Sequence, residues 1–357
     1  MILRRGTREV RAGAIAIGGG APVSVQSMLK TDPHDVRASV EQIARLAARG
    51  CEIARMAVPD RKAAKALGEI RRESELPLVA DVHFDPRLAL ASLEAGADKV
   101  RVNPGNTSDE EGLRLVARES AARGVSVRIG ANSGSVRARS LDRGRPMPEA
   151  LASVALDAAK RFEDWGQPAL VLSVKASSVV ETVRAYRLAA EGNDYPLHLG
   201  LTAAGPADLA SAKSFAAMGA LLVDGLGDTV RFSYTGAPEA EVDGAWALLE
   251  ALGLRRRSTE VLSCPTCGRC RLDLAACVAE VRARLADYPA TDLTVAVMGC
   301  VVNGPGEAAE ADVGLAGAPE GAVLFAKGER VRRVGESEMV DTLLAEFERL
   351  LSERSTP

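Results

Sequence analysis

Two stretches near the C-terminus hold residues whose types and spacing could do chemistry: "SCPTCGRC", from Ser263 to Cys270, and "AVMGCVVNGPGEA", from Ala296 to Ala308. The first sets Cys264, Cys267 and Cys270 at two-residue intervals. The second ends an apolar run at Cys300, enters a turn of Asn303, Gly304, Pro305 and Gly306, and stops at Glu307. One thiol in a buried strand packs as a small hydrophobe, but a CxxC pair with a distant cysteine on a turn can fold around a metal. Three donor sets are compatible with the spacing. A structural zinc would take Cys264, Cys267, Cys270 and Cys300. The C-x2-C-x2-C run can wrap a cubane iron–sulfur cluster. The third set joins three thiolates to the Glu307 carboxylate. Spacing does not choose among them, although zinc leaves the NGPGE turn without a purpose. Five of the six cysteines lie in the last hundred residues, Cys51 being the exception. In a reducing compartment such clustering favours a metal or redox site over disulfides.

A second set is cationic. Short apolar runs end at or near Arg55, Arg101, Arg128, Lys175 and Arg231, accompanied by Asp81, His83, Asn103, Asn132, Thr202 and Ser233. Cations inside short apolar strands are costly unless something anionic neutralises them. Asp81 and Asp98 stand nearby in those runs. Arginine forks match phosphate oxygens bidentately, so a phosphorylated or diphosphate ligand is the economical explanation. His83 follows Asp81 by two residues, on the same strand face, and joins the candidates. His34 and His198 read as structural or surface residues.

These groups need a scaffold. Eight β-branched runs ("VSVQSM", "CEIARMAV", "LPLVADVHF", "DKVRVN", "VSVRIGAN", "ALVLSVKAS", "LHLGLT", "DTVRFSY") alternate with amphipathic helical patterns as far as residue 253. Eight strand–helix alternations describe an α/β fold, a (β/α)8 TIM barrel over residues 1–254, whose sites lie at the C-terminal strand ends. "GALLVDGLGD" reads as the end of a helix, and "GGG" at 18–20 as a turn, since no GxGxxG fingerprint supports a doubly wound sheet. Residues 255–357 read as a small α+β domain. It has a helix in "RLDLAACVAEVRARLAD", a strand in "LTVAVMG", and a hairpin of "GAVLFAKG" and "RVRRVG" turning at "GER". A closing helix is capped by Ser337.

Composition agrees with a parallel α/β packing. The 357-residue chain is 47% apolar but only 3% aromatic, so Ala, Val, Leu and Ile must build the core. A net charge of −3 gives no basic field for nucleic acid or an anionic membrane surface. "MILRRGTREVRAG" has no apolar signal region, and no window approaches ~20 uninterrupted apolar residues. The expectation is a soluble, unexported, cytoplasmic protein.

"CPTCGR" followed by "MGCVVNGPGEA" resembles the hydroxymethylbutenyl diphosphate synthase family, iron–sulfur enzymes of the methylerythritol phosphate route to isoprenoids. "APVSVQSM", "PLVADVHFD", "VRVNPGN", "VRIGANSGS", "SVKAS", "HLGLT" and "GDTVRFS" are similar to that family's segments, in its order, over nearly the whole chain. The length is that of the bacterial two-domain form. The resemblance implies a [4Fe–4S] cluster held by Cys264, Cys267, Cys300 and Glu307, with Cys270 a bystander. A carboxylate is a harder and more labile ligand than a thiolate, which gives Glu307 a catalytic part as well. It also implies methylerythritol cyclodiphosphate as substrate, its diphosphate held by the cationic set above with Asn303 facing it. Ferredoxin or flavodoxin is implied as electron donor. The implied assembly is a homodimer in which one subunit's cluster domain closes the other's barrel.

One position departs from the family. Where its members read "TEAG", this chain reads "LTAAG", with Ala203 in place of the glutamate. The resemblance implies that this glutamate delivers a proton to the departing hydroxyl. A positioned acid contributes about 10²–10⁴ in rate, so Ala203 leads to the expectation of impaired turnover.

Overall fold

The computed structural model describes residues 2–138, 144–202 and 205–355. Contacts divide the chain into two compact units, residues 1–255 and 256–357.

The first unit opens with a small antiparallel hairpin, β1 (Val10–Ala12) and β2 (Ile15–Ile17). All eight expected runs then form parallel strands: β3 (Ser24–Met28), β4 (Ile53–Ala57), β5 (Leu78–Asp81), β6 (Lys99–Val102), β7 (Ser126–Asn132), β8 (Leu170–Lys175), β9 (His198–Leu199) and β10 (Thr229–Val230). Their order is β8-β7-β6-β5-β4-β3-β10-β9, and a parallel bridge between Leu172 and Leu197 joins the two ends into a barrel. The strands are buried on both faces, which explains their near-continuous apolar character. One face meets the surrounding helices, and the other alternates polar residues into the barrel.

Helices follow the strands: α1 (Val36–Ala48), α2 (Arg61–Glu73), α3 (Pro86–Glu94), α4 (Glu110–Ala122), α5 (Ser133–Ala138), α6 (Met147–Asp164), α7 (Val179–Ala190), α8 (Ala207–Val223) and α9 (Glu239–Ala251). Asp35, Asp60, Asp85, Asp109 and Ser178 cap five of them by accepting a backbone N–H in the first turn. In "GALLVDGLGD", residues 219–223 are the end of α8 and the rest is the turn that follows it, and Gly18–Gly20 form a turn. On the hairpin, Val10, Ala12 and Ile17 pack against Ile53, Val79 and Val171 of β4, β5 and β8. This apolar plug fills the N-terminal end of the barrel and leaves the polar strand ends at the opposite mouth.

The second unit is a five-stranded mixed sheet with helices: β11 (Glu260–Ser263), α10 (Leu274–Leu285), β12 (Thr294–Met298), α11 (Gly304–Glu310), β13 (Val313–Ala318), β14 (Gly321–Ala326), β15 (Glu329–Val334) and α12 (Met339–Ser355). The order is β11-β12-β13-β14-β15; the first three strands run parallel and the last three antiparallel. One face buries Val295, Val297, Leu315 and Leu324 against Val281, Leu343 and Phe347 of α10 and α12. The other packs Ala296, Met298 and Ala316 against Ala308 of α11.

Several details differ from the sequence reading. NGPGE is the first turn of α11 rather than a free turn, because Pro305 suits a helix start. Ser337 caps nothing: it lies inside a 3-10 turn, Glu336–Glu338, that precedes α12. The hairpin turns at Lys327 and Gly328, both with positive φ, and Glu329 already belongs to β15. Strands β11 and β13 were not expected. Among the described residues no helix is long and apolar enough to cross a membrane.

Candidate active site

At the C-terminal mouth of the barrel, a cavity of about 180 Å³ gathers side chains from seven strands or their ends. Arg55, Arg101, Arg128, Lys175 and Arg231 all line it, with Asp81, His83, Asn132 and Thr202. Ser173 and Leu201 line it too, and neither was anticipated. Among the described residues, Asp81 is the one lining carboxylate.

The cations have unequal partners. Asp81 accepts from Arg101 Nη1 at 3.1 Å, and Arg55 Nε stands 3.7 Å from its other oxygen. Burial pushes the Asp81 carboxyl up, but Arg55, His83 and Arg101 outweigh it and hold it well below the usual carboxylate range. Among the described residues, Arg55 otherwise donates to the Met28 sulfur alone, 2.8 Å from Nη2. Arg101 Nη1 also lies 2.8 Å from His83 Nε2. His83 Nδ1 lies 2.6 Å from Asn106 Nδ2, and Nε2 also stands 3.4 Å from the Asp81 carboxylate. Among the described residues, Arg128 reaches only Gln26 Oε1, at 3.5 Å, and its buried Nε has no partner. Lys175 makes no hydrogen bond or ion pair among the described residues. Burial, followed by repulsion from Arg128, Arg55, Arg231 and Arg101, drives its ammonium well below the ordinary lysine range. A small anion with several oxygens would supply what these groups lack.

Two glycines make room for this crowding. A Cβ on Gly130 would stand 2.8 Å from Arg101 Nε, and one on Gly200 would stand 2.7 Å from Lys175 Nζ. Bare backbone on β7 and after β9 therefore lets two long cations lie flat against the barrel wall.

Not every expected residue reaches the cavity. Asn103 is buried, with Oδ1 accepting from Gly105 N at 2.9 Å and Nδ2 donating to Ser135 at 3.2 Å; it shapes the loop after β6. Ser233 lies off the lining, its buried hydroxyl without a partner. Asp98 is engaged elsewhere, with Arg71 at 2.6 Å and the backbone N–H of Leu78 at 2.8 Å. Ala203 lies outside the described residues. His198 is a core residue, not a surface one: burial, with nearby Arg128 and Lys175, pushes its ring well below the usual range and leaves it neutral.

Two charged residues are also absent from the sequence reading. Lys99 is 3% exposed and without a partner among the described residues. It precedes Arg101 by two, so strand alternation already points it inward. Glu241, on α9, is buried and pairs with Arg231 at 3.0 Å and with Lys30 at 2.9 Å.

In the second unit, a cavity of about 170 Å³ is lined by Cys264, Cys267 and Cys300, and by Glu307 and Asn303. Cys264 directly follows β11 and Cys300 closely follows β12, on neighbouring parallel strands, so the sheet brings them together. Thr266, at φ 58°, turns the CxxC knuckle. Glu307 comes from α11, which sits close on the sheet because Gly304 and Gly314 carry no side chains. A Cβ on Gly314 would stand 2.9 Å from the Ala308 Cβ. Gly299 N–H donates to Cys264 Sγ at 3.3 Å. The N–H groups of Val302 and Asn303, with Arg269 nearby, hold the Cys300 thiol below its usual range. Cys270 is absent from the lining; its sulfur packs over Gly299 and lies 3.3 Å from the Leu272 carbonyl.

Three thiols and the Glu307 carboxylate ring a space of about 170 Å³, a donor set of the kind that holds iron or zinc.

Comparison with known proteins matches both units. The family model of the GcpE TIM-barrel domain matches residues 7–246, and that of the GcpE protein C-terminal domain matches residues 260–349. The chain is 49% identical over 349 residues to the 4-hydroxy-3-methylbut-2-en-1-yl diphosphate synthase (flavodoxin) of Geobacter sulfurreducens, covering 98% of this chain and 99% of that one. It is 48% identical over 357 residues to the protein of the same name from Aquifex aeolicus, covering 100% of both. The solved Yersinia pestis dihydropteroate synthase shares the barrel fold alone, with a TM-score of 0.50 at 10% identity over 69% of this chain and 98% of that one.

Proposed function

This chain belongs to the GcpE family, and from that premise we propose that it converts 2-C-methyl-D-erythritol 2,4-cyclodiphosphate to 4-hydroxy-3-methylbut-2-enyl diphosphate. The observation that carries the reading is the convergence of five cations on one cavity that has a single lining carboxylate. A diphosphate is the ligand such a cavity lacks.

The transformation is a two-electron reduction. The cyclic diphosphate, a dianion, takes up two electrons and one proton. Its ring carbon–oxygen bond breaks with the electron pair left on the diphosphate, the neighbouring hydroxyl departs as water, and a carbon–carbon double bond forms. Arg128 and Lys175, the least partnered cations, bind the diphosphate oxygens. Arg55 and Arg101, held from behind by Asp81, orient the ligand. His83, held among Arg101, Asp81 and Asn106, stands at the edge of the same cavity.

A [4Fe–4S] cluster bound by Cys264, Cys267, Cys300 and Glu307 would supply the electrons one at a time. Flavodoxin, the donor named for the relatives, fits as its reductant, with ferredoxin an equivalent source, and the working form is a homodimer. The alternative, a catalytically silent iron–sulfur or zinc protein that binds a phosphorylated ligand, also gives the cationic mouth a use, but the full-length relatives named as a synthase do not favour it.

The test is anaerobic incubation of the reconstituted protein with the cyclodiphosphate and a chemical reductant, followed by phosphorus NMR and metal analysis. Ring-opened diphosphate and bound iron are expected. Stoichiometric zinc, or tight ligand binding without turnover in both this chain and its Ala203→Glu variant, would overturn the reading.

A further inference from the structure

Outside the lining of the barrel cavity, α9 delivers one carboxylate into the barrel wall. The Glu241 side chain has no exposed surface. Its Oε2 accepts from Arg231 Nη2 at 3.0 Å, Arg231 Nε at 3.2 Å and Ser27 Oγ at 3.2 Å. Its Oε1 lies 2.9 Å from Lys30 Nζ and accepts the backbone N–H of Tyr234 at 3.1 Å. Arg231 itself lines the cavity; Glu241 and Lys30 do not.

We propose that Glu241 is a specificity-determining residue that acts through charge: by offsetting Arg231 and Lys30 from behind, it limits how much more tightly the barrel holds the ring-opened product than the cyclic substrate. The inference rests on the ring-opening reading above. In that reaction the ligand enters as a dianion and leaves as a trianion, because the electron pair of the broken carbon–oxygen bond stays on the diphosphate. The extra attraction for product is one charge multiplied by the local potential, so every cation left without a counter-charge favours retention. Asp81 lowers that potential as well, but it lines the cavity, so replacing it also alters ligand contacts. The Glu241 charge can be removed without deleting a group that faces the ligand.

Glu241→Gln preserves size and removes the charge. On cluster-reconstituted protein, the two constants to measure are KM for the cyclic diphosphate and the inhibition constant of the ring-opened product. Their ratio, KM over inhibition constant, should rise at least about 5-fold, with iron content unchanged. Should the variant fold poorly, Lys30→Met removes one of the offset cations and should move the ratio the other way. A role confined to fastening Arg231 would weaken both ligands together and leave the ratio at its wild-type value, which would overturn the proposal. If the unmodified chain and its Ala203→Glu variant both fail to turn over the cyclic diphosphate, the functional reading falls. Turnover with an unmoved ratio in both charge variants removes this inference alone.

Discussion

Lys175 lies across Gly200: a Cβ on that glycine would stand 2.7 Å from the ammonium and 2.9 Å from the carbonyl of Arg231. Gly200→Ala must therefore push the cation away from the barrel wall or bend the strand end. Loss of one well-placed contact to a charged group is worth roughly 1.5–3 kcal/mol. The expected outcome is a KM for the cyclic diphosphate raised about 10-fold or more, with iron content kept. An unchanged KM would mean that Lys175 reaches the ligand from another position.

The same ammonium makes binding depend on pH. Burial and the surrounding Arg128, Arg55, Arg231 and Arg101 lower its pKa, and a bound diphosphate favours the charged form. As pH rises through that lowered value, the free protein loses the ammonium and affinity falls, at a pH below the ordinary lysine value of about 10.4. Calorimetric titration with inorganic pyrophosphate across pH should show this decline. Lys175→Met should bind more weakly and show no such step. A profile that is the same in both proteins would assign the titration elsewhere.

For the second cavity, Cys264→Ser, Cys267→Ser and Cys300→Ser should each abolish stable cluster assembly, whereas Cys270→Ser should not. The first three line the cavity with Glu307, while Cys270 packs behind Gly299. Iron and sulfide analysis with visible absorption after reconstitution gives the answer. Loss of the cluster in Cys270→Ser, together with full activity in Glu307→Ala, would restore the all-cysteine ligand set.

Ala203→Glu should raise turnover at least ~10-fold, a barrier change of about 1.4 kcal/mol, with little change in cluster content. The expectation follows from the family resemblance and from the cationic mouth, which is otherwise complete. Anaerobic steady-state kinetics on both proteins, after equal reconstitution, compares them directly. Equal rates would assign the proton to another donor.

The barrel was legible because each strand is a dense apolar run bounded by turn signals, and because the polar ends repeat from strand to strand. The second sheet was legible only in part. β11 ("EVLS") is mostly exposed and carries little apolar signal, and β13 ("VGLAGA") is built from small residues that pack closely under α11. Within the site, sequence located the cations but not their partners. Lys99 opens its strand instead of ending it, so the pattern of polar strand ends does not include it, although its alternation with Arg101 does. Glu241 was hidden for a tertiary reason: only folding brings a helix residue under Arg231. Asn103 shows the reverse case, a residue of the right type at the right strand end whose hydrogen bonds serve its own loop.

The segment leading into the hairpin fixes the order in which this chain can mature on the ribosome. Arg4 Nη2 donates to Asp228 Oδ1 at 3.0 Å, a partner 224 residues further along, and Arg5 N–H donates to the Gly225 carbonyl at 2.9 Å. At about 5–20 residues per second, those partners emerge roughly 10–45 s after the residues that need them. The Arg4 side-chain bond and the Arg5 backbone bond must wait until just before the last barrel strand is made, whereas the Arg5 side chain can already reach the carbonyls of Ala190, Asn193 and Tyr195. Bulky fusions placed just ahead of this segment should therefore slow the yield of folded protein more than the same fusions placed after α12.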